Sequence, residues 1–291
     1  MIAESRPRLD PSRTPLIAVA AAGFLVALKG AAAWVTGSLA LGSAALDSLI
    51  DLFVSGANFL VLARSARPPD ADHAYGHGKF ENLAALGQGL FLVAAAATLV
   101  WSGVRRLIEG GVPRETGWGA AVLAISMLVS LGVARTLRRA AEHSGSPALK
   151  ADSLHYATDL WVNGSAPIAL LVVRWSGWAA ADPLVALVVA VYVFRTGTSL
   201  ALEAMGDLSD RGLPEEELRR IRAIVASFAP AVEGLHDLKT RRSGGQRFIE
   251  LHLEIPRVTS FADAHDLTVK VLLAIEREIP RSKVFVHGDP V

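Results

Sequence analysis

Long apolar runs fill roughly the first two thirds of the chain, and charged residues become frequent only after Asp207. Six runs are long enough for a helix to cross a bilayer core of about 30 Å, which takes about 20 residues. They cover Leu16–Val35, Leu39–Ala63, Phe80–Leu107, Trp118–Leu137, Ala148–Val173 and Pro183–Leu202. The pattern predicts an α-helical membrane protein with six transmembrane helices and excludes a soluble enzyme.

After the sixth run the pattern becomes that of a small soluble domain. Pro214 and the three glutamates behind it predict a helix that runs to about Phe228, because proline and acidic residues are favoured in a first turn. Gly244 and Gly245 predict a hairpin. The remaining elements are two strands, a helix and a last strand, over His236–Arg241, Arg247–Ile255, Phe261–Ile279 and Lys283–His287. The order αββαβ predicts a small α+β domain, metallochaperone- or ferredoxin-like, with two helices on one face of an open sheet.

We divide the chain into an N-terminal segment (1–14), a six-helix membrane domain (15–206) and a C-terminal domain (207–291). An even number of spans places both termini on one side. Cytoplasmic loops carry an excess of Lys and Arg. Basic residues before the first run and in the second–third and fourth–fifth gaps outnumber those on the other side, so both termini are expected in the cytoplasm. The cytoplasmic set is Arg6, Arg8, Arg13, Arg64, Arg67, Lys79, Arg135, Arg138, Arg139 and Lys150, against Arg105, Arg106, Arg114 and Arg174.

Overall charge and cysteine content narrow the possible ligands. The chain has a formal net charge of +1 and no cysteine. A charge so close to zero does not predict a nucleic-acid partner. The lack of cysteine excludes a disulfide framework and the thiolate sites that Cu(I) prefers.

Two apolar runs contain ionisable residues at mid-depth. A carboxylate at the bilayer centre costs about 2.5–3.5 kcal/mol on insertion scales. Asp47 and Asp51 are four residues apart in the second run, as are His155 and Asp159 in the fifth, so each pair lies on one helical face. The two helices run in opposite directions, so the pairs can face each other. Three carboxylates and an imidazole form a nitrogen and oxygen set that suits tetrahedral Zn²⁺.

Other interpretations of these residues remain open. They could form hydrogen bonds between helices, or a catalytic carboxylate pair, although no companion motif supports catalysis. Asn58 and Asp152 extend the two polar stripes. Glu81 and Gln88, seven residues apart in the third run, could line a pathway or bond to a neighbouring helix.

Three segments of the chain resemble the cation diffusion facilitator family, most closely its YiiP-type bacterial zinc/proton antiporters. They read GSLALGSAALDSLIDLF in the second run, DADHAYGHGKFE in the following loop and SLHYATDLWVNG in the fifth run. The resemblance extends from about Pro15 to Pro290. It implies a homodimer in the bacterial inner membrane that exchanges Zn²⁺ for protons by alternating access. It also implies that the transport site consists of Asp47, Asp51, His155 and Asp159.

The resemblance implies two further zinc sites. One is a loop site of Asp70, His73 and His77, where spacing alone also fits a solvated linker. The other is a binuclear site in the C-terminal domain, where pattern alone favours surface histidines. Its implied ligands are His236, His252, His265, His287 and Asp289, and Gly288 leaves one ligand of the second ion in doubt. Zinc would there be a structural or regulatory ion that stabilises the dimer.

Two alternatives to zinc transport stay open. The same mechanism could export Fe²⁺, Cd²⁺ or Co²⁺, because affinity alone discriminates poorly among such ions. A membrane metal sensor that does not transport would keep the C-terminal histidines. It would have no need of the four polar residues in the second and fifth runs, and their presence argues against it.

Overall fold

The computed structural model describes residues 14–109, 117–178 and 180–291. Almost all of the expected N-terminal segment, with its three arginines, therefore lies outside the described residues, as does Arg114. The chain divides into two compact units, and the division falls between Ala204 and Met205. We call them the membrane unit and the C-terminal unit.

Long helices make up the membrane unit. Each of the six predicted spans lies within one of them. Within the described residues, five of these helices are long and apolar enough to cross a membrane. Helix α5 is not among the five, and His155, Asp159 and Asn163 interrupt its apolar sequence. The helices are α1 (Thr14–Thr36), α2 (Leu39–Ser65), α3 (Lys79–Glu109), α4 (Gly117–Ser144), α5 (Pro147–Ser176) and α6 (Ala181–Leu208).

Small residues let the helices of the membrane unit approach closely. α1 packs against α2 and α4 against α5, and a buried cluster rich in alanine joins α1, α4 and α5. At the crossing of α3 and α6, a Cβ atom on Gly89 would lie 2.7 Å from Ala201 N and 2.9 Å from Gly197 O. Only glycine therefore allows this backbone contact.

Helix α5 begins at a well-formed cap. Ser146 Oγ accepts a hydrogen bond from Leu149 N at 3.2 Å, and Pro147 occupies the first turn. The loop 66–78 lies at this same end of the unit, where α2 and α4 end and α3 and α5 begin. We call it the loop end.

The C-terminal unit has the predicted αββαβ order. Its elements are α7 (Glu215–Ala226), β1 (Gly234–Ser243), β2 (Gln246–Ile255), α8 (Phe261–Glu278) and β3 (Ser282–Pro290). The sheet order is β1-β2-β3, with β1 antiparallel and β3 parallel to the central β2. Ser243 pairs with Gln246, so the predicted two-glycine hairpin turn is confirmed.

The two faces of this sheet differ in chemistry. Ile249, Leu251, Leu253 and Ile255 are buried with α7 and α8 in one apolar core. The alternate positions of β2 point the other way and include His252 and Glu254. The helix-free face therefore displays polar side chains from all three strands.

Candidate metal centres

The structure brings together Asp51 of α2 with His155 and Asp159 of α5. His155 Nε2 lies 3.2 Å from Asp51 Oδ1 and 3.6 Å from Asp159 Oδ2. The His155 side chain is 2 % exposed, whereas the two carboxylates are 22 % and 26 % exposed. The imidazole is thus held inside the unit while the carboxylates remain open on one side.

These separations fit a single tetrahedral ion. Zinc bonds of about 2.0–2.1 Å place tetrahedral ligand atoms about 3.3 Å apart. The nitrogen–oxygen distances of 3.2 Å and 3.6 Å bracket that value. A divalent cation between the three groups would also compensate two carboxylates, which are costly to bury unpaired.

Asp47, the fourth predicted ligand, is not part of this group. It lies one turn before Asp51 on α2 and is exposed. Nearby, Lys29 of α1 is 8 % exposed and donates to Ser48 Oγ at 2.8 Å. Lys29 lies within electrostatic reach of Asp47 and Asp159, so one buried cation partly balances the acidic residues.

Glu81 ties the two helices of the group together at the loop end. Its carboxylate accepts one hydrogen bond from Ser65 Oγ, the last residue of α2, at 2.9 Å. It accepts another from Ser146 Oγ, the cap of α5. A single side chain of α3 therefore links the ends of the two helices that carry the metal-binding group.

The loop 66–78 forms a second cluster, with all three predicted residues in place. Asp70 Oδ1 lies 3.2 Å from His73 Nδ1, and Asp70 Oδ2 lies 3.1 Å from His77 Nε2. The backbone N–H of His73 donates to Asp70 and holds the pKa of that carboxyl below its usual value. The His77 ring is fully buried, yet neither nitrogen makes a well-aligned hydrogen bond to the described residues. This donor set fits a metal ion.

A third cluster lies on the helix-free face of the C-terminal sheet. Asp289 Oδ2 is 2.8 Å from His252 Nδ1 and 3.0 Å from His236 Nε2, and its Oδ1 is 3.1 Å from His287 Nε2. The strand register explains the grouping, since His252 pairs with His236 on one side and His287 on the other. The hydrogen bond from His252, with the neighbouring imidazoles, lowers the pKa of Asp289. The carboxylate of Asp289 thus contacts three imidazole rings.

The sequence interpretation missed two carboxylates near this cluster. Glu254 Oε1 lies 3.2 Å from His236 Nδ1, and its place two residues after His252 on the same strand face was a usable signal. Asp237 Oδ2 lies 3.8 Å from His252 Nε2, because the strand pairing shifts between His236 and Lys239. No sequence pattern marks that irregularity. His265, on the exposed start of α8, is not part of the cluster.

Comparison with known proteins identifies the family. A model of the cation efflux transmembrane domain matches residues 16–209, and a model of the cation efflux cytoplasmic domain matches residues 213–291. The chain belongs to the cation efflux family. The resemblance to cation diffusion facilitators is thereby confirmed.

Individual cation efflux proteins match over most of the chain. The cation-efflux pump FieF of Escherichia coli O127:H6 is 38% identical over 279 residues, which is 96% of this chain and 92% of the relative. FieF of Klebsiella pneumoniae gives the same figures. A solved metal-bound C-terminal domain of the CzcD transporter from Thermotoga maritima is 31% identical, covering 26% of this chain and 88% of that one, with a TM-score of 0.25. This cation efflux protein is therefore a multi-pass membrane transporter with a dimerising cytoplasmic domain, and its family is not one of enzymes.

Proposed function

We propose that this protein exports Zn²⁺ from the bacterial cytoplasm across the inner membrane in exchange for protons, as a homodimer with both termini in the cytoplasm. The observation that supports this most is the Asp51–His155–Asp159 group, because its nitrogen and oxygen donors are spaced for one tetrahedral ion. An oxygen-only group would favour harder cations.

Proton exchange follows from the chemistry of the ligands. Metal binds only to deprotonated carboxylates and neutral imidazole, so protons and metal compete for the same atoms. An imidazole titrates near physiological pH. When the group faces the outside, protons would displace the ion, and alternating access would return the protonated group to the cytoplasm.

Transport by reconstituted protein tests the proposal. In proteoliposomes with a zinc-sensitive dye and an imposed pH gradient, we expect zinc flux that follows the gradient and is lost in Asp51→Ala and His155→Ala. His143→Ala is a matched control, because His143 lies at the end of α4, outside all three clusters. Flux that persists in both site variants excludes this site, and flux that ignores the gradient excludes proton coupling.

The identity of the ion is tested by the imidazole. In His155→Asp the group would contain only oxygen donors, so Mn²⁺ should gain on Zn²⁺ in competition assays. Fe²⁺, Cd²⁺ and Co²⁺ are competitors in the same assay, and the ranking for the native protein assigns the substrate. An unchanged ranking in His155→Asp would show that the imidazole does not select the ion.

We also propose that zinc binds in the loop cluster and in the C-terminal cluster as a structural or regulatory ion. The support is the same in both: histidine and aspartate donors about 3 Å apart with exposed access. His287 and Glu254 extend the C-terminal donor set. The role of Asp47 in transport and of His265 at the C-terminal site stays a prediction.

A further inference from the structure

A second polar cluster lies next to the Asp51–His155–Asp159 group. It consists of Asn58 of α2, Gln88 of α3 and Asp152 of α5, which are 5%, 4% and 2% exposed. Asn58 Nδ2 donates to Gln88 Oε1 at 3.0 Å, and both amides lie beside the carboxyl group of Asp152. Three helices thus bring a carboxylate and two amides together inside the membrane unit.

The amides of Asn58 and Gln88 lie within hydrogen-bonding reach of Asp152, but they do not satisfy every polar atom of the cluster. Asp152 Oδ1 and Gln88 Nε2 are buried without a well-aligned hydrogen bond among the described residues, and so is His155 Nδ1 in the adjoining group. Leaving one such group unpaired costs about 1–3 kcal/mol. Buried polar atoms without partners, in two neighbouring groups, indicate a site for a polar or charged ligand.

The position of the cluster indicates which ligand. Asp152 precedes His155 by three residues, about 4.5 Å toward the loop end, and Asn58 follows Asp51 by seven, about 10 Å the same way. Glu81 lies further toward that end, between Ser65 and Ser146. Carboxylates therefore recur from the loop end to the metal-binding group. A divalent cation is the ligand that such a succession attracts.

We propose that Asn58, Gln88 and Asp152 form a staging site that holds a divalent cation before it enters the Asp51–His155–Asp159 group. The inference rests on the proposed transport function. Gln88 Oε1 accepts from Asn58 Nδ2 in the structure, so both amides would turn their oxygens toward an arriving ion. The site would then offer one carboxylate and two amide oxygens, a harder and less charged set than two carboxylates with an imidazole. It therefore binds the ion more weakly and leaves it part of its water, and weak binding lets the ion move on.

The cysteine-free chain allows a test that does not depend on transport. We would place Asp152→Cys in an Asp51→Ala background, reconstitute the full chain and follow labelling by a small maleimide with and without Cd²⁺. Ser153→Cys is the matched control: Ser153 is 6% exposed and its hydroxyl bonds to Lys150 O of its own helix. Cd²⁺ should protect Asp152→Cys at a concentration about tenfold lower than Ser153→Cys, since the amides add donors to the thiolate.

A further substitution checks whether Gln88 contributes to the site. Gln88→Leu added to Asp152→Cys should remove the difference from the control. Equal protection of the Asp152→Cys and Ser153→Cys variants, or protection that survives Gln88→Leu, would overturn the staging site. So would failure of the maleimide to label Asp152→Cys at all, because a site on an access path must be reached from water. In the Asp51→Ala background, protection that Gln88→Leu removes reports this cluster, so the staging site is judged separately from the transport group.

Kinetics in the otherwise native protein give a second readout. Asp152→Asn should raise the KM for Zn²⁺ uptake about tenfold, while equilibrium zinc binding by the Asp51 group changes less than about twofold. Asp182→Asn is the control, because this buried carboxylate is bonded to Arg106 at 3.1 Å at the opposite end of the unit. A parallel loss of binding and transport in Asp152→Asn would mean that Asp152 only supports the transport group.

Discussion

At the scale of single residues, the two aspartates of α2 lie in different surroundings. Asp51 lies 3.2 Å from the imidazole of His155, whereas Asp47 is exposed one turn away. Both carboxylates occupy the same helical face, and sequence spacing alone cannot rank them. The structure ranks them, because Asp51 belongs to the group whose ligand atoms lie within 4.8 Å of one another and Asp47 does not. A ligand must reach the ion within about 2.0–2.2 Å.

We therefore predict that the two aspartates contribute unequally to zinc binding. Asp51→Asn should weaken equilibrium zinc binding at the transport group by about two orders of magnitude, and Asp47→Asn by about one or less. Both losses can be measured by calorimetric titration with zinc, in protein whose loop and C-terminal clusters have been removed by substitution. Equal losses would show that Asp47 binds the ion as closely as Asp51 does.

At the scale of helices and strands, close backbone contact decides where α3 and α6 meet. A Cβ on Gly197 would lie 2.8 Å from Gly89 O, and one on Gly89 would lie equally close to the α6 backbone. Backbone atoms cannot move aside as a flexible side chain can, so a methyl group at either position forces the helices apart. Gly87, two residues earlier on α3, has no atom within 4 Å of its Cβ position.

Gly89→Ala should consequently destabilise the membrane unit by about 1–3 kcal/mol through overpacking. Gly87→Ala should leave stability unchanged or raise it slightly, because alanine favours a helix. Thermal melting in detergent, followed by the amount of monodisperse protein, compares the two variants. Similar melting temperatures would contradict the tight crossing.

Salt bridges link α7 to the β1–β2 hairpin. Glu217 accepts from Arg247 Nε at 2.5 Å and from Arg242 Nη2 at 2.6 Å. Partial burial alone would raise the pKa of Glu217, but the hydrogen bond and charge of Arg247, together with Arg242, outweigh it and lower the pKa. The stabilisation is therefore present above the ordinary glutamate pKa and is lost as the pH falls below the lowered one.

Glu217→Gln should accordingly reduce local stability by about 1 kcal/mol at neutral pH, a value discounted for the solvent exposure of the pair. As the pH falls through the lowered pKa of Glu217, the difference should disappear. Hydrogen exchange of α7 and hairpin amides in the full-length protein, compared with the native protein at each pH, measures it. Glu216→Gln is the control, because Glu216 occupies the same first turn but is exposed. If the stability difference between Glu217→Gln and the native protein persists undiminished at low pH, the salt bridges of Glu217 are not its cause.

Helices and strands were largely predictable from the sequence, because apolar length and alternation act locally. The spans and the αββαβ order follow from such patterns. The grouping of side chains was less predictable, since it depends on how neighbouring elements are rotated and aligned. Helical spacing predicted that Asp51 and His155 can face each other, and the structure brings them within 3.2 Å. The carboxylate of Asp237 reaches His252 only through an irregularity in strand pairing.

At the scale of the whole molecule, the polar face of the C-terminal sheet bears on the proposed homodimer. His236, His252 and Asp289 lie on a face that α7 and α8 leave uncovered. A cytoplasmic domain of the dimerising type matches this part of the chain. A metal ion on that face would neutralise Asp289 and its neighbouring carboxylates, which otherwise oppose close approach of a second copy.

We therefore expect zinc removal to weaken the proposed homodimer. Light scattering of detergent-solubilised protein should show a larger monomer fraction after treatment with a chelator, restored by added Zn²⁺. His252→Ala should lower the zinc stoichiometry and copy the effect of the chelator, whereas His143→Ala should not. If neither the chelator nor His252→Ala changes the monomer fraction, this cluster does not stabilise the dimer.

The glycine crossing of α3 and α6 constrains how such a carrier can move. Two backbones in direct contact can pivot about the contact point, but neither can slide past the other without breaking it. In the proposed transport cycle the crossing of α3 and α6 would therefore stay fixed. Alternating access would then require the other helices to tilt around this crossing, and Glu81 of α3 would release Ser65 or Ser146 when the loop end opens.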